Sequence, residues 1–174
     1  MIQELVTTDL SKLFRKQHEL DTGIIIQHDL YNVDLKQMRR LALFDELAEL
    51  LNKTKCHKFW SEKQASDREA LEKNGADFED LLEEYVDGWH FLLSIGNDLE
   101  VPEIHHGIDI QKDFNAQFDN LLSVISIVCS EVGWLLYVNL YKGLATHYGF
   151  TWEQILVAYD KKYEINLERQ RNHY

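Results

Sequence analysis

The chain has 174 residues, 45% of them hydrophobic and 28% charged, with a formal net charge of −12. That length suits one domain with a sizeable core, and the composition excludes a disordered chain. The acidic balance excludes the basic footprint that a nucleic-acid backbone requires, so no direct nucleic-acid partner is expected.

One proline and eight glycines leave the chain poor in turn punctuation, which favours long helices over many short strands. The first predicted helix covers 9–21, with Leu10, Leu13, Phe14, Gln17 and Leu20 on one face. GIIIQH (23–28) is β-prone but isolated. A second helix over 34–54 starts at Asp34 as N-cap, and its apolar stripe is read as Met38, Leu41, Phe44, Leu47 and Leu51. SEKQASDREALEKNGAD (61–77) reads as a surface loop with a short helix. The third long helix, 78–96, carries Phe78, Leu81, Leu82, Tyr85, Trp89 and Leu92 and is expected to stop at Gly96. VPEIHHGIDI (101–110) is the second β-prone run, too isolated for a sheet. Residues 111–146 form one helix, or two broken near Gly133, and a last helix runs from a Thr151 cap to about Asn172. The fold class is all-α, a compact helical bundle in one domain.

Within this series, LLSVISIVCSEVGWLLYVNLY (121–141) has the length of a membrane span, but Glu131 sits at its centre and a charge at mid-depth is costly. It reads as a buried or subunit-interface helix, with no membrane partner. Trp134, Leu135, Val138 and Tyr141 exceed what one small core absorbs, so this helix is expected at a homodimer interface. Cys56 and Cys129 share no C-x-x-C spacing, and the N-terminus is charged too early for a signal peptide. Reduced thiols and a cytoplasmic location are expected.

Chemistry concentrates in two acidic pairs. Glu46 and Glu49 are three residues apart on the second helix, and Glu84 and Asp87 repeat the spacing on the third, so each pair points one way. Both fall opposite the stripes centred on Phe44/Leu47/Leu51 and Phe78/Leu82/Trp89, as solvated faces would. Leu43 and Leu50 flank Glu46, however, Phe91 lies near Glu84, and the pairs are expected to stand without a neutralising base. Four hard oxygen donors on facing helices are what Mg²⁺ prefers. A di-iron bundle would need two acid-x-x-His motifs, and Asp87-x-x-His90 occurs once. No P-loop, G-x-G-x-x-G or G-x-S-x-G is present. From Ala158 onward four Lys/Arg face three acids, and Lys162, Asn166, Arg169 and Tyr174 share a broad face suited to clamping phosphate, or to an ordinary amphipathic terminus.

Taken in order, QHELD (17–21), ELAELLNKTKCHKFWS (46–61), EEYVDGWHFLLSIG (83–96), YKGLATHYGFTWEQILVAY (141–159) and KYEINLERQRNHY (162–174) resemble the motifs of the dimeric all-α dUTPases, within the all-α NTP pyrophosphohydrolase superfamily. The resemblance implies hydrolysis of dUTP, and of dUDP, to dUMP with two or more Mg²⁺ ions per site, limiting uracil in DNA. It implies that Glu46, Glu49, Glu84 and Asp87 hold the metals, Glu49 also activating the attacking water. Gln17, Asp21, Trp60 and His90 would form the uracil and deoxyribose pocket, and Lys162, Asn166, Arg169 and Tyr174 would take the phosphates and close over the substrate. Asp21 stands where some members carry Asn, and His173 replaces the usual Gly before the last Tyr. A sister enzyme preferring another nucleotide such as dCTP, or a non-catalytic partner-binding protein on the same fold, would show the same pattern.

Overall fold

The structure, a computed structural model, describes residues 2–172. Among these, the helices are α1 (Ile2–Val6), α2 (Ser11–Gln27), α3 (Lys36–Thr54), α4 (Arg68–Lys73), α5 (Phe78–Leu99), α6 (Phe114–Val124), α7 (Glu131–Tyr148) and α8 (Trp152–Arg171). A 3-10 turn at Ile125–Ile127 follows α6. The all-α expectation holds, with one addition. Strands β1 (Thr7–Asp9) and β2 (Ile104–His106) pair antiparallel, Thr8 opposite His105, so the second β-prone run does find a partner, at the N-terminus.

Side-chain caps set the helix starts. Asp77, Asp113 and Ser130 accept from the first-turn amides of α5, α6 and α7, and Thr151 forms a full capping box with Gln154 at α8. Asp34 lies just outside α3 and accepts from Lys36 N at 3.0 Å. GIIIQH is not a strand; it forms the last turns of α2, where the helical face begun by Leu13 and Phe14 outweighs the β preference of three isoleucines. Gly96 does not end α5, which continues to Leu99. A Cβ at Gly96 would meet the Phe14 ring at 2.8 Å and the Trp134 ring at 2.9 Å, so this glycine serves close packing. The apolar run over 111–146 is two helices, broken just ahead of Gly133.

At the centre lies α5, buried nearly all round and packed against α2, α3, α7 and α8. Its contact with α7 is unusually close. Tyr85 and Tyr141 stack at 4.6 Å between ring centroids, and each hydroxyl donates to the other residue's carbonyl, at 3.0 and 2.8 Å. Only glycine fits beside them, since a Cβ at Gly88 would lie 2.1 Å from the Tyr141 hydroxyl. Farther along, Trp134 Nε1 donates to Leu92 O at 2.7 Å. Buried Gln117 ties the loop before α6 to α7, accepting from Gln111 N and donating to Asp109 O and Leu140 O.

The apolar stripe of α3 differs from the expectation. Leu43, Leu47, Leu50 and Thr54 are buried, while Met38, Leu41 and Phe44 are exposed. The helix is turned so that the residues flanking Glu46 pack on α5, which carries the acids inward with them. Trp134, Val138 and Tyr141 are likewise fully buried in the core of the single chain. The exposed apolar residues of that region are Leu122, Ile127, Val132 and Leu136. No helix among the described residues is long and apolar enough to cross a membrane.

Candidate active site

Because α3 and α5 pack along the Leu43–Leu47–Leu50 stripe, their acidic positions converge. Glu46, Glu84 and Asp87 each bring a carboxylate oxygen within 4.8 Å of the others. Glu49 lies one turn beyond Glu46, more exposed, and its carboxyl shares a hydrogen bond with that of Glu84. Burial, then the charges of Asp87, Glu49 and Glu84, push Glu46 up to about 8. Burial also raises Asp87, against the pull of Lys162. The bond to Glu84 and the charge on it raise Glu49.

Two lysines answer this repulsion. Lys53 stands four residues after Glu49, so the pairs are not without a base, contrary to expectation. It bridges to α5 instead, pairing with Asp80 and, at 3.1 Å, with Glu84. Lys162 reaches from α8 to Asp87 at 2.6 Å and Glu83 at 3.1 Å. Four clustered carboxylates against two ammonium groups leave a negative surplus of all-oxygen donors, which fits hard divalent cations.

One helical turn away, roughly 4.5–6 Å along each axis, the same three helices change character. Ala42 precedes Glu46 by four residues, His90 follows Asp87 by three, and Asn166 follows Lys162 by four. Together with α2 these positions wall a cavity of about 400 Å³, lined by Gln17, Asp21, His90, Asn166 and Arg169 beside apolar Leu20, Ile24, Met38 and Phe91. Asp21 accepts from Gln17 at 2.8 Å, Ser94 at 2.9 Å and Arg39 at 3.3 Å, and burial raises it against these donors. His90 is 5% exposed, and burial followed by the charge of Lys162 pushes it down to about 3, so its imidazole is neutral.

The structure therefore gathers Glu46, Glu49, Glu84 and Asp87 at one level, with Lys162 beside them, and Gln17, Asp21, His90, Asn166 and Arg169 at the next. Trp60 is not among them. It lies on the loop after α3, 68% exposed and edge-on to Phe59 at 4.9 Å. Tyr174 lies outside the described residues. Sequence reasoning missed Lys53, Ser94 and Tyr159. The i,i+4 spacings of Lys53 from Glu49 and of Ser94 from His90 were signals for two of them, while Tyr159 gave none beyond its place in the terminal helix.

An acid cluster beside a nucleotide-sized cavity can hold a polyphosphate through cations at one level and a nucleoside at the other. A family model described as dUTPase matches residues 9–174 of the chain. No curated protein matches it.

Proposed function

Because this chain belongs to the dUTPase family, whose members hydrolyse dUTP, we propose that it converts dUTP, and dUDP, to dUMP with magnesium. The observation that carries the reading is the pairing of levels on α3, α5 and α8: the cluster around Glu46, Glu84 and Asp87 lies one turn from the cavity around His90. Nothing in a solvated acidic face calls for such a cavity beside it.

In this reading Glu46, Glu49, Glu84 and Asp87 hold two or more Mg²⁺ ions. When bound, magnesium neutralises the phosphate chain and acidifies a water molecule. Glu49 takes the proton of the attacking water, a role favoured by its exposure and its raised proton affinity. Lys162 exchanges Asp87 for a phosphate oxygen, and Arg169 offers planar donors to the same chain. The apolar wall of the cavity keeps water from the nucleoside. Trp60 and Tyr174 remain assigned to the base and to closure by the family resemblance.

The test is product release across a panel of deoxynucleoside di- and triphosphates, with Mg²⁺ and with chelator. Release of dUMP from dUTP and dUDP only when Mg²⁺ is present is the expected result. Preferential turnover of dCTP, or no turnover of any nucleotide, would replace the proposal.

A further inference from the structure

The cavity beside the acid cluster has a polar floor whose hydrogen-bond directions can be worked out. Gln17 is 3% exposed and every bonding position of its amide is taken. Its Nε2 lies 2.8 Å from Asp21 Oδ1 and 3.0 Å from Ser94 Oγ, and its Oε1 lies 2.8 Å from both His90 Nδ1 and the Tyr159 hydroxyl. The amide cannot be turned over. Asp21, receiving Ser94 and Arg39 as well, acts as a carboxylate and only accepts, so the nitrogen of Gln17 must face it. The oxygen of Gln17 then faces His90, and a carbonyl oxygen only accepts, so His90 Nδ1 must carry the hydrogen. A neutral imidazole has one N–H, which leaves His90 Nε2 as a lone pair. That atom is buried and has no hydrogen-bond partner among the described residues, on a side chain that lines the cavity.

Tyr159 completes the arrangement from α8. Its hydroxyl donates to the second lone pair of Gln17 Oε1, and its ring stacks on the imidazole with centroids 4.3 Å apart. We propose that Gln17 and Tyr159 are positioning residues, Gln17 holding His90 in the Nδ1–H form and Tyr159 fixing the orientation of both, so that Nε2 is a fixed acceptor for one hydrogen of the bound nucleotide. The chemistry recognised is an N–H or O–H donor of the nucleoside, on the sugar hydroxyl or on the base imide. Gln17 acts on the ligand through His90 and Asp21, because its own amide has no bonding position left. This rests on the nucleotide reading of the cavity, but the tautomer can be measured without nucleotide.

Nitrogen-15 spectra of the imidazoles in the ligand-free protein give the first readout. Expected is a protonated Nδ1 and an unprotonated Nε2 for His90; the opposite tautomer overturns the proposal whatever the enzyme hydrolyses. The second readout uses Tyr159→Phe, which keeps the stacked ring and removes the hydroxyl. We expect the Nδ1–H tautomer to persist, because Asp21 still fixes the Gln17 amide, with dUMP affinity lower by roughly tenfold as for the loss of one oriented hydrogen bond and kcat within a few-fold of the parent. Unchanged dUMP affinity, or a switch to the Nε2–H form, overturns it. Two ligands then separate the donors: 2′,3′-dideoxyuridine monophosphate lacks the hydroxyl and N3-methyl-dUMP lacks the imide hydrogen. A roughly tenfold loss for one of them identifies the partner of Nε2, and no loss for either overturns the acceptor role. If dUMP itself fails to bind, the nucleotide reading falls, while the spectrum still decides the tautomer.

Discussion

The four carboxylates on α3 and α5 are close enough that their protons and any cation compete for the same oxygens. Replacing Glu49 by Gln keeps the shape but removes a ligand charge and the proton acceptor. We expect hydrolysis to fall by roughly 10²-fold or more with the melting temperature retained; turnover within a few-fold of the parent would remove Glu49 from its role. Glu46 carries a second expectation, for stability. Its folded pKa of about 8 lies above its ordinary 4.5, so the folded chain holds this proton more tightly than the unfolded chain does. The resulting stabilisation is complete below the ordinary value and is lost as pH rises toward about 8. In chelator, the melting temperature should therefore decline across that interval more steeply for the parent than for Glu46→Gln. With saturating Mg²⁺ the decline should flatten, since the cation takes the place of the proton. Identical profiles for parent and variant in chelator would show that the site does not retain the proton.

Between residues and molecule stand the helices and the few side chains that join them. Gln117 is the clearest such joint, with one donor and two acceptors of the backbone depending on its amide. Gln117→Leu would fill the same volume and leave these groups buried without partners. A loss of about 2–4 kcal/mol in denaturant unfolding is expected, and a loss below 0.5 kcal/mol would mean that water reaches them. The same scale explains what could be read in advance. The cap at Thr151 and the long periodic runs made the helices legible, because those signals are local. The face of α3 was not, since apolar residues recur on both sides of that helix and period alone cannot say which stripe its neighbour covers. Phe44 looked like core and is 45% exposed, whereas Leu43 and Leu50, beside the acid, are fully buried. Tyr159 was illegible for a related reason: its partner Gln17 lies 142 positions earlier, and only the packing of α8 on α2 and α5 brings them together.

For the molecule as a whole, the acid spacing and the order of the motifs announced an all-α chain of the dUTPase family, while the surface was misjudged. The core absorbs Trp134, Val138 and Tyr141, and the apolar groups left outside around them include Leu122, Ile127, Val132 and Leu136, with Leu41 and Phe44 on α3. Scattered apolar residues are ordinary on a monomer, but this many near the junction of α6, α7 and α3 favour a second copy. We expect light scattering at micromolar concentration to give the mass of two chains, and Leu136→Glu to shift that mass toward one. A monomeric parent would leave these side chains without a partner.

The capping box at Thr151 has a mechanical consequence. It anchors the start of α8, where Trp152 rests edge-on against Trp89 of α5 at 5.8 Å, while the phosphate-side residues ride near the opposite end. Tyr159 and Lys162 pin α8 again farther along, so the lever is the stretch past Lys162. From Lys162 to Arg169 the arm is about 10 Å, so a bend of roughly 12° past Lys162 carries the guanidinium through about 2 Å. Meanwhile α5, locked to α7 by the reciprocal tyrosines, stays put. A bend small enough to leave Tyr159 and Lys162 in place is thus large enough to make or break an ion pair at the far tip.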